Sequence, residues 1–333
     1  MKAMTIEKYG NTPLKMNDMP FPVIGDDEVL VKIHAASINP VDFKIRNGGG
    51  IRLFFNYKMP LILGNDFSGE VVDTGSRVTD FKKGDKVYGR PRKSKIGTFA
   101  EYISVDYKEI AAMPENLSFE EAAAVPLVGL TSYQALNDRL NLKAGDKIFI
   151  PAGSGGIGTF AIQLAKIMGL YIATTTSDKG RELAKSMGAD EVINYKDADF
   201  SKVLKDYDAV FDTMGKKNLE DSFKILKKGG KIVSINGSPN VETGKEHQFN
   251  LFKNILLKMV SRKITKLSKT YNVDYEFFFM KSSGKQLDII NTYINDDKIT
   301  PVVDKVFAFK DTQKAIEYSE SGRAKGKIIV KMI

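Results

Sequence analysis

Cysteine and tryptophan are absent from the 333 residues, and histidine occurs only twice, as His34 and His247. Without cysteine the chain can form no disulfide, supply no thiol nucleophile and bind no zinc through thiolates. The two histidines are too few and too far apart in the sequence to take over such a site, and we interpret both as structural. Chemistry that needs a cysteine-ligated metal is therefore excluded.

Long hydrophobic runs are also absent, and the longest ones are far too short to span a membrane. Met1 is followed almost at once by the strand-like KAMTIEKYG rather than by a charged and then apolar leader, so we expect a cytoplasmic protein. The composition, with 42% apolar and 27% charged residues, is that of an ordinary soluble protein. The length leaves room for about two domains, each with its own core.

Acidic residues are outnumbered by basic ones, 41 to 50, which gives a net charge of +9. The excess is mostly lysine, whereas base and phosphate recognition favours arginine, and no basic tail or finger motif is present. The charge therefore predicts a lysine-rich surface with some preference for anionic ligands, and no nucleic acid partner is expected.

One segment, 251–269, concentrates the charge, with six basic and no acidic residues. Its apolar residues recur at helical spacing and predict a helix that packs them against the core and leaves a solvated basic face. The alternative is a contact with a membrane surface or with RNA. The predicted core-facing residues are Phe252, Leu256, Met259, Val260, Ile264 and Leu267.

Glycine is abundant in one short stretch, PAGSGGIGTFAIQLAK at 151–166, which lies between a strand-like and a helix-like segment. Gly153, Gly155 and Gly158 have the G-x-G-x-x-G spacing, with Gly156 between them. A pyrophosphate can approach the free N–H groups of a helix start only if no side chain stands in the way. The motif alone is weak, and an ordinary turn remains the alternative.

The order of predicted elements differs between the two parts of the chain. The first 120 residues contain short alternating segments separated by Gly, Pro and Asp, which predict a β-rich, barrel-like domain, and the terminal strand–helix–strand pattern is expected to return to it. After position 143 strands alternate with helices, which predicts a doubly wound parallel sheet in an α/β protein. The predicted strands are 147–150, 171–176, 191–195, 208–213, 230–236 and 275–280.

Seven blocks in a fixed order give the whole chain a family resemblance. They are ASINPVDFKIRNG, PLILGNDFSGEVVDTG, GDKVYG, GTFAEYISV, AAAVPLVGLTSYQAL, AGSGGIG and SGRAKGKIIV. With these blocks the chain resembles the medium-chain dehydrogenase/reductase superfamily, in the zinc-free branch of quinone oxidoreductases and 2-alkenal (enone) reductases. The resemblance implies a GroES-like β-rich catalytic domain formed by 1–123 and 284–333, and a Rossmann NADP-binding domain formed by 124–283.

The resemblance also implies a metal-free site and a particular assembly. The positions that hold catalytic zinc in alcohol dehydrogenases of the superfamily are occupied here by Asn39, Asn65 and Leu127, next to Asp66, and a leucine with two amides cannot hold zinc tightly. Val41 stands where those enzymes carry a proton-relay hydroxyl. We therefore expect no metal. A homodimer built through the edge of the sixth strand, YEFFFM, is the assembly that the family favours.

The resemblance implies a nicotinamide cofactor, and the second strand of the Rossmann domain indicates which one. Relatives that use NAD carry an acid at its end, whereas this chain has Thr175, followed by Ser177 and Lys179, which can donate to a 2′-phosphate. NADPH is therefore expected, and Asp178 as a reader of the ribose of NADH is the alternative. The expected cofactor-binding residues are Val128, Thr131, Gly153, Ser154, Gly155, Gly156, Ile157, Gly158, Thr175, Ser177, Lys179, Tyr195, Gly237, Ser238 and Lys327.

The proton side of the reaction is less defined by the sequence. Asn39 is expected as an orienting amide, Lys44 as a cation that polarises a carbonyl and Tyr57 as a proton donor, with Tyr133 or solvent as alternatives. Without a metal, the chain is better suited to reducing a quinone or the activated C=C of an α,β-unsaturated carbonyl than to oxidising an alcohol. The alternative function is that of an NADPH-binding regulatory protein that contacts RNA or a membrane through the basic segment.

Overall fold

The computed structural model describes residues 1–49, 52 and 55–332, which divide into two compact units. One unit comprises residues 1–130 together with those from 281 onward, and the other comprises residues 131–280. The boundaries expected from the sequence fall after residues 123 and 283, so the two divisions differ by a few residues at each junction.

The described residues form strands and helices in the following order. The strands are β1 (Lys2–Ile6), β2 (Lys15–Asp18), β3 (Glu28–Ile38), β4 (Leu61–Ile62), β5 (Asp66–Thr74), β6 (Lys86–Gly89), β7 (Tyr102–Asp106), β8 (Ile110–Ala112), β9 (Lys147–Ile150), β10 (Tyr171–Thr176), β11 (Glu191–Asn194), β12 (Tyr207–Asp212), β13 (Leu226–Ser234), β14 (Asp274–Phe277), β15 (Val303–Ala308) and β16 (Lys327–Lys331). The α-helices are α1 (Pro40–Asn47), α2 (Phe119–Ala123), α3 (Pro126–Tyr133), α4 (Gly156–Ile167), α5 (Asp178–Ser186), α6 (Phe200–Val203), α7 (Lys216–Ser222), α8 (Val241–Glu246), α9 (Leu251–Val260), α10 (Arg262–Tyr271), α11 (Gly284–Asn295) and α12 (Thr312–Glu320). None of the helices in this part of the chain is long and apolar enough to cross a membrane.

The first unit is built around β3, an eleven-residue strand rich in Val, Ile and Ala. β3 pairs with β5, β7 and β16 in a seven-stranded sheet of order β15-β16-β3-β5-β6-β8, in which only β15 and β16 run parallel. A smaller antiparallel sheet has the order β2-β1-β4. Because β16 pairs with β3 (Ile328 opposite Ile38), the end of the chain completes the first unit, as the sequence predicted.

The second unit contains a six-stranded sheet in which every neighbouring pair is parallel. Its strand order is β11-β10-β9-β12-β13-β14, so the chain moves outward from β9 in one direction and then, from β12, in the other. Phe149, Ala173 and Val210 lie on one face of the sheet and belong to a buried core cluster, and their neighbours Ile148, Ile172 and Ala209 on the other face are buried as well. This is the doubly wound Rossmann arrangement, and the predicted α/β fold class is confirmed.

Two predictions in the second unit were wrong. The sixth strand, β14, ends at Phe277 rather than at residue 280. The basic segment forms two helices, α9 and α10, and the buried line runs through Leu257, Ser261 and Ile264 at i, i+4 and i+7. Phe252 and Met259, which we expected in the core, are 76% and 69% exposed, and Val260 is exposed as well. Ile264 and Leu267 pack against the core as expected, but the apolar spacing of α9 was read in the wrong phase, because Leu257 rather than Phe252 faces the rest of the unit.

Candidate functional site

The glycine-rich loop of the second unit leaves β9 and enters α4 at the point where the strand order reverses. Ala152 has a φ of 58°, a left-handed conformation that is unusual for a residue with a side chain. The Gly153 N–H donates to the Thr175 carbonyl at 3.0 Å, which fixes the loop against β10. Gly155 precedes α4 with φ −84° and ψ 172°, and no side chain caps the helix among the described residues. The N–H groups in the first turn of α4 are therefore not covered by a capping side chain.

The glycines of this loop serve different purposes. A Cβ on Gly158 would lie 2.3 Å from the Ala152 carbonyl oxygen, and a Cβ on Gly153 would lie 2.3 Å from Thr174 Oγ1. Packing therefore requires glycine at both positions. A Cβ on Gly155 would meet only the Ala152 oxygen at 3.3 Å, and its φ is one that any residue adopts. A Cβ at Gly155 would press on that one backbone oxygen only, so packing restricts this position less than the other two, and a ligand that approaches the backbone would add a restriction of its own.

Residues expected to distinguish NADPH from NADH gather at the ends of β10 and β11. Thr175 is buried, and its Oγ1 accepts a hydrogen bond from the Ala152 N–H at 3.2 Å, so its hydroxyl holds the loop. Ser177 is the N-cap residue of α5, and Asp178 is the first residue of that helix. The Asp178 carboxylate accepts from Asn194 Nδ2 at 2.9 Å. Lys179 is exposed beside it.

The remaining expected cofactor residues lie at several places. Tyr195 follows β11 and is 60% exposed. Ser154 Oγ lies 3.1 Å from Thr176 Oγ1, and Ile157 and Gly156 are half-buried in the first turn of α4. Val128 and Thr131 are both buried on α3.

A buried carboxylate that we did not anticipate holds the loops after β12 and β13. Asp212 accepts hydrogen bonds from the Met214 and Gly215 N–H groups and from Ser234 Oγ at 2.6 Å. Ser234 Oγ in turn accepts from the Gly237 N–H at 2.8 Å. Burial raises the pKa of Asp212, and these donors oppose that shift. Because an acid at the end of a fully buried strand needs such partners, its occurrence in DAVFDT was a usable signal.

Gly237 and Ser238 are fixed by a second contact. A Cβ on Gly237 would lie 2.4 Å from the Tyr275 hydroxyl oxygen, so packing requires glycine there. The same hydroxyl donates to the Ser238 carbonyl at 3.0 Å. Both residues therefore occupy a defined loop close to the carboxyl end of β13.

The first unit contains a buried polar network that follows from strand register. β3 places Ser37 opposite Asp66 of β5, and β16 begins with Lys327 next to the pair Ile328 and Ile38. Asp66 Oδ2 accepts from Ser37 Oγ at 2.6 Å and from Asn39 Nδ2 at 2.9 Å, and lies 3.4 Å from Lys327 Nζ. Lys327 Nζ also donates to Asn39 Oδ1 at 2.5 Å. An ammonium group is thus enclosed by an amide and a carboxylate.

A second branch of this network continues through Asp42 and Arg90. The Asn39 N–H donates to Asp42 Oδ2 at 2.7 Å, which caps α1, and Asn65 Nδ2 donates to Asp42 Oδ1 at 2.7 Å. Arg90 completes the branch by donating to Asn65 Oδ1 at 3.1 Å. All of these side chains are buried. Neither Arg90 nor the buried position of Lys327 could be read from the sequence.

Burial changes the ionisation of the charged groups in the network. Burial raises the pKa of Asp42 to about 7, although the donors Asn65 and Asn39 and the Lys327 ammonium oppose the shift. Burial likewise lowers the pKa of Lys327, while Asp66 and Asp42 oppose that shift. Two cations and two carboxylates share one buried site, so each depends on the others for its charge.

The donor set at the expected metal position does not fit zinc. The amide oxygens of Asn39 and Asn65 already accept hydrogen bonds from Lys327 and Arg90, and two cations stand beside them. Across residues 1–49, 52 and 55–332, no three His, Asp or Glu side chains come together in a way that could hold a metal ion. The absence of metal in the protein remains a prediction.

The three expected catalytic residues have different surroundings. Asn39 is buried with its amide engaged on both sides. Lys44 is exposed on α1, and Tyr133 is half-buried at the end of α3. Tyr57 is half-buried, and its backbone is held by the Tyr9 hydroxyl at 2.8 Å. Burial raises the pKa of Tyr57 to about 12, so its hydroxyl stays protonated at neutral pH.

A parallel Rossmann sheet with a glycine loop at its reversal point, together with a GroES-like unit, defines a nucleotide-dependent oxidoreductase. Two family models match the chain: an alcohol dehydrogenase GroES-like domain over residues 25–115 and a zinc-binding dehydrogenase domain over residues 187–330. The latter match does not include positions 39 and 65.

Individual proteins agree with this class. The 2-methylene-furan-3-one reductase of Solanum lycopersicum is 34% identical over 99% of this chain and 79% of its own length. The NADPH-dependent alkenal/one oxidoreductase, chloroplastic, of Arabidopsis thaliana is 33% identical over 99% of this chain and 79% of its own length.

Solved structures extend the similarity to the whole fold. A quinone oxidoreductase from Coxiella burnetii has a TM-score of 0.86 at 33% identity and covers 100% of this chain and 99% of its own. The Escherichia coli quinone oxidoreductase, solved with NADPH, has a TM-score of 0.84 at 25% identity over 100% of both chains. The chain belongs to the medium-chain dehydrogenase/reductase superfamily, in its zinc-free branch, and is an NAD(P)H-dependent oxidoreductase.

Replacing Lys327 tests the buried network. Lys327→Met keeps the volume but leaves Asp66 and the Asn39 oxygen without their cation, so we expect a loss of about 3–5 kcal/mol in the free energy of unfolding, measured with urea. Lys331→Met on the same strand removes an exposed lysine paired with Glu120 and should change little. The double variant Lys327→Met/Asp66→Leu should regain part of the loss. Equal stability of Lys327→Met and the wild type would contradict the network's importance.

Comparing two glycines tests whether the loop is a phosphate cradle or only a turn. Gly158→Ala should lower the melting temperature strongly, because its Cβ meets backbone atoms. Gly155→Ala should melt within a few degrees of the wild type but bind NADPH about tenfold or more weakly, a change of ~1.4 kcal/mol, in a fluorescence titration. If Gly155→Ala binds NADPH as the wild type does, the loop is an ordinary turn.

Proposed function

We propose that this protein transfers a hydride from NADPH to a quinone or to the activated C=C of an α,β-unsaturated carbonyl, without a metal ion. The observation that carries the proposal is the buried network. Lys327 donates a hydrogen bond to the amide oxygen of Asn39, and Arg90 donates one to the amide oxygen of Asn65. Alcohol oxidation needs a Lewis acid to stabilise an alkoxide. Reduction of an activated C=C instead places negative charge on an oxygen that hydrogen-bond donors can support.

NADPH, when bound, supplies the hydride. The loop of Gly153, Gly155 and Gly158 would hold the pyrophosphate at the start of α4, and the absence of a capping side chain at Gly155 supports this placement. Ser177 and Lys179 would donate to the 2′-phosphate. Asp178 is engaged by Asn194, which favours NADPH over a reading in which Asp178 accepts from the ribose of NADH. The Arabidopsis thaliana relative is an NADPH-dependent oxidoreductase and the Escherichia coli structure is a complex with NADPH, which agrees with this choice.

We assign the role of proton donor to Tyr57. Its half-buried hydroxyl makes no hydrogen bond within the described residues, and it is protonated at neutral pH, as an ordinary tyrosine is. Such a group can donate to an oxygen that becomes negative during hydride transfer. Asn39 and Lys327 already form hydrogen bonds with each other, and Asn39 also donates to Asp66. These contacts fit positioning roles better than direct contact with substrate or cofactor. Lys44, exposed on α1, is the second candidate for polarising the carbonyl.

The assembly and the compartment are also proposals. β14 is the edge of the six-stranded sheet, and an unpaired edge favours pairing with a second copy, so a homodimer through β14 is expected. A cytoplasmic location is part of the proposal, although the Arabidopsis thaliana relative is chloroplastic.

A panel of enones, enals, quinones, saturated ketones and alcohols, followed by nicotinamide absorbance, tests the proposal. We expect turnover of the first three classes in the presence of a chelator, with NADPH preferred to NADH by roughly ten- to a hundredfold, because charged hydrogen bonds to the 2′-phosphate are worth about 1.5 to 3 kcal/mol. Tyr57→Phe should lower kcat for enones about tenfold or more while leaving NADPH binding intact. Turnover of alcohols alone, or activity lost to the chelator, would overturn the proposal.

A further inference from the structure

Four apolar side chains of α9 face solvent together, and we call them the α9 face: Leu251, Phe252, Ile255 and Met259. Their spacing of i, i+1, i+4 and i+8 places them within about one third of the helix circumference. Leu251 is 77% exposed and Ile255 is 52% exposed. The opposite side of α9 is anchored through the buried Leu257. A contiguous exposed apolar surface of this kind marks an interaction site.

Three exposed cationic side chains of α10 follow the α9 face along the chain. Arg262, Lys266 and Lys269 recur at i, i+4 and i+7 and are exposed, while Ile264 packs into the core. Ser261 separates the two helices: its N–H donates to the Leu257 carbonyl at the end of α9, and its carbonyl accepts from the Thr265 N–H at 2.9 Å at the start of α10. Leu257, Ser261 and Ile264 are all buried, and residues 251, 255, 259, 262, 266 and 269 are all exposed.

The charges of this surface have no local counterions. Within the described residues, Arg262, Lys266 and Lys269 form no ion pair, and neither does Lys258, which lies at the border of the α9 face. Lys263 alone pairs with an acid, Glu220, at 2.5 Å. No acidic residue occurs between 251 and 271. The surface therefore offers apolar side chains and an uncompensated positive field side by side.

We propose that α9 and α10 bind an anionic membrane surface, lying in its plane with the α9 face inserted among the lipid chains and the α10 cations at the headgroups. A helix pair that combines a bulky apolar side with lysine and arginine is suited to the boundary between acyl chains and headgroups. The attraction to anionic lipid adds to the burial of apolar surface, so both should be required.

The charges distinguish this partner from two others. A second copy of the chain docked on the same face would bring two uncompensated basic surfaces together, which is unfavourable. RNA would satisfy the cations but leave Phe252 and Met259 in water. Only a partner that is both anionic and apolar uses every feature of the surface. Because Leu257 and Ile264 stay packed in the unit, the contact needs no unfolding of either helix.

Co-sedimentation of the full chain with vesicles tests the proposal. We expect binding to phosphatidylcholine vesicles that contain phosphatidylglycerol, and at least tenfold weaker binding to pure phosphatidylcholine or in high salt. Phe252→Asn/Met259→Asn should weaken binding at least tenfold. Val23→Asn/Val203→Asn, which changes two exposed apolar residues elsewhere, should bind as the wild type does.

A charge series provides an independent measurement. Arg262→Gln/Lys266→Gln/Lys269→Gln should abolish the preference for anionic vesicles. Lys83→Gln/Lys205→Gln/Lys228→Gln removes the same charge from exposed lysines elsewhere and should preserve it. All variants should keep the melting temperature and the NADPH affinity of the wild type, which verifies folding.

Three results would overturn the proposal. The first is no binding to anionic vesicles, or binding that the α9 variant leaves unchanged. The second is a dimer in solution, seen by sedimentation velocity, that the α9 variant dissociates, because the face would then belong to a second copy. The third is tight, salt-sensitive binding of RNA that competes with vesicles and is lost in the charge variant while the α9 variant retains it.

Discussion

The enclosure of the Lys327 ammonium by Asn39 and Asp66 is the constraint on which the first unit depends. A buried cation is tolerated only when fixed acceptors surround it, and here the acceptors are Asn39 at the start of α1, Asp66 of β5 and the Ile38 carbonyl of β3. The last strand of the chain must therefore return to β3 with a single register, since a shift of one residue would turn Lys327 to the other face. The network ties the end of the chain to its first hundred residues.

The second unit is under a different constraint, because the glycine-rich loop between β9 and α4 must leave its backbone accessible to a ligand. Gly153 and Gly158 allow close packing, Ala152 accepts an unusual conformation, and Thr175 holds the turn with its hydroxyl and its carbonyl. Asp212 fixes the neighbouring loops in a similar way. Polar groups buried at the ends of strands thus fix the conformations of the loops, and the bound cofactor would supply the reactive chemistry.

Sequence patterns predicted the fold better than the site. Alternation of strands and helices gave the parallel sheet, and glycine spacing gave the loop, because both depend on local periodicity and backbone freedom. A helix was expected where α9 lies, but its buried side was predicted wrongly, because periodicity shows that a helix has an apolar side without showing which side its neighbours cover. Lys327 and Arg90 were missed as buried charges because their partners lie far away in the sequence and meet only through strand register. The family resemblance pointed to Asn39 as a site residue, but its hydrogen bond with Lys327 could be seen only in the structure.

The central claim is that hydrogen-bonding side chains, without a metal ion, support hydride transfer to an activated C=C. Its most direct test follows deuterium from NADPH labelled at C4 of the nicotinamide into an enone, by mass spectrometry, with a strong chelator present throughout. We predict one deuterium at the carbon β to the carbonyl and a rate that the chelator does not change. Absence of label in the product, or a reaction that stops in chelator and resumes when zinc is added, would contradict the account.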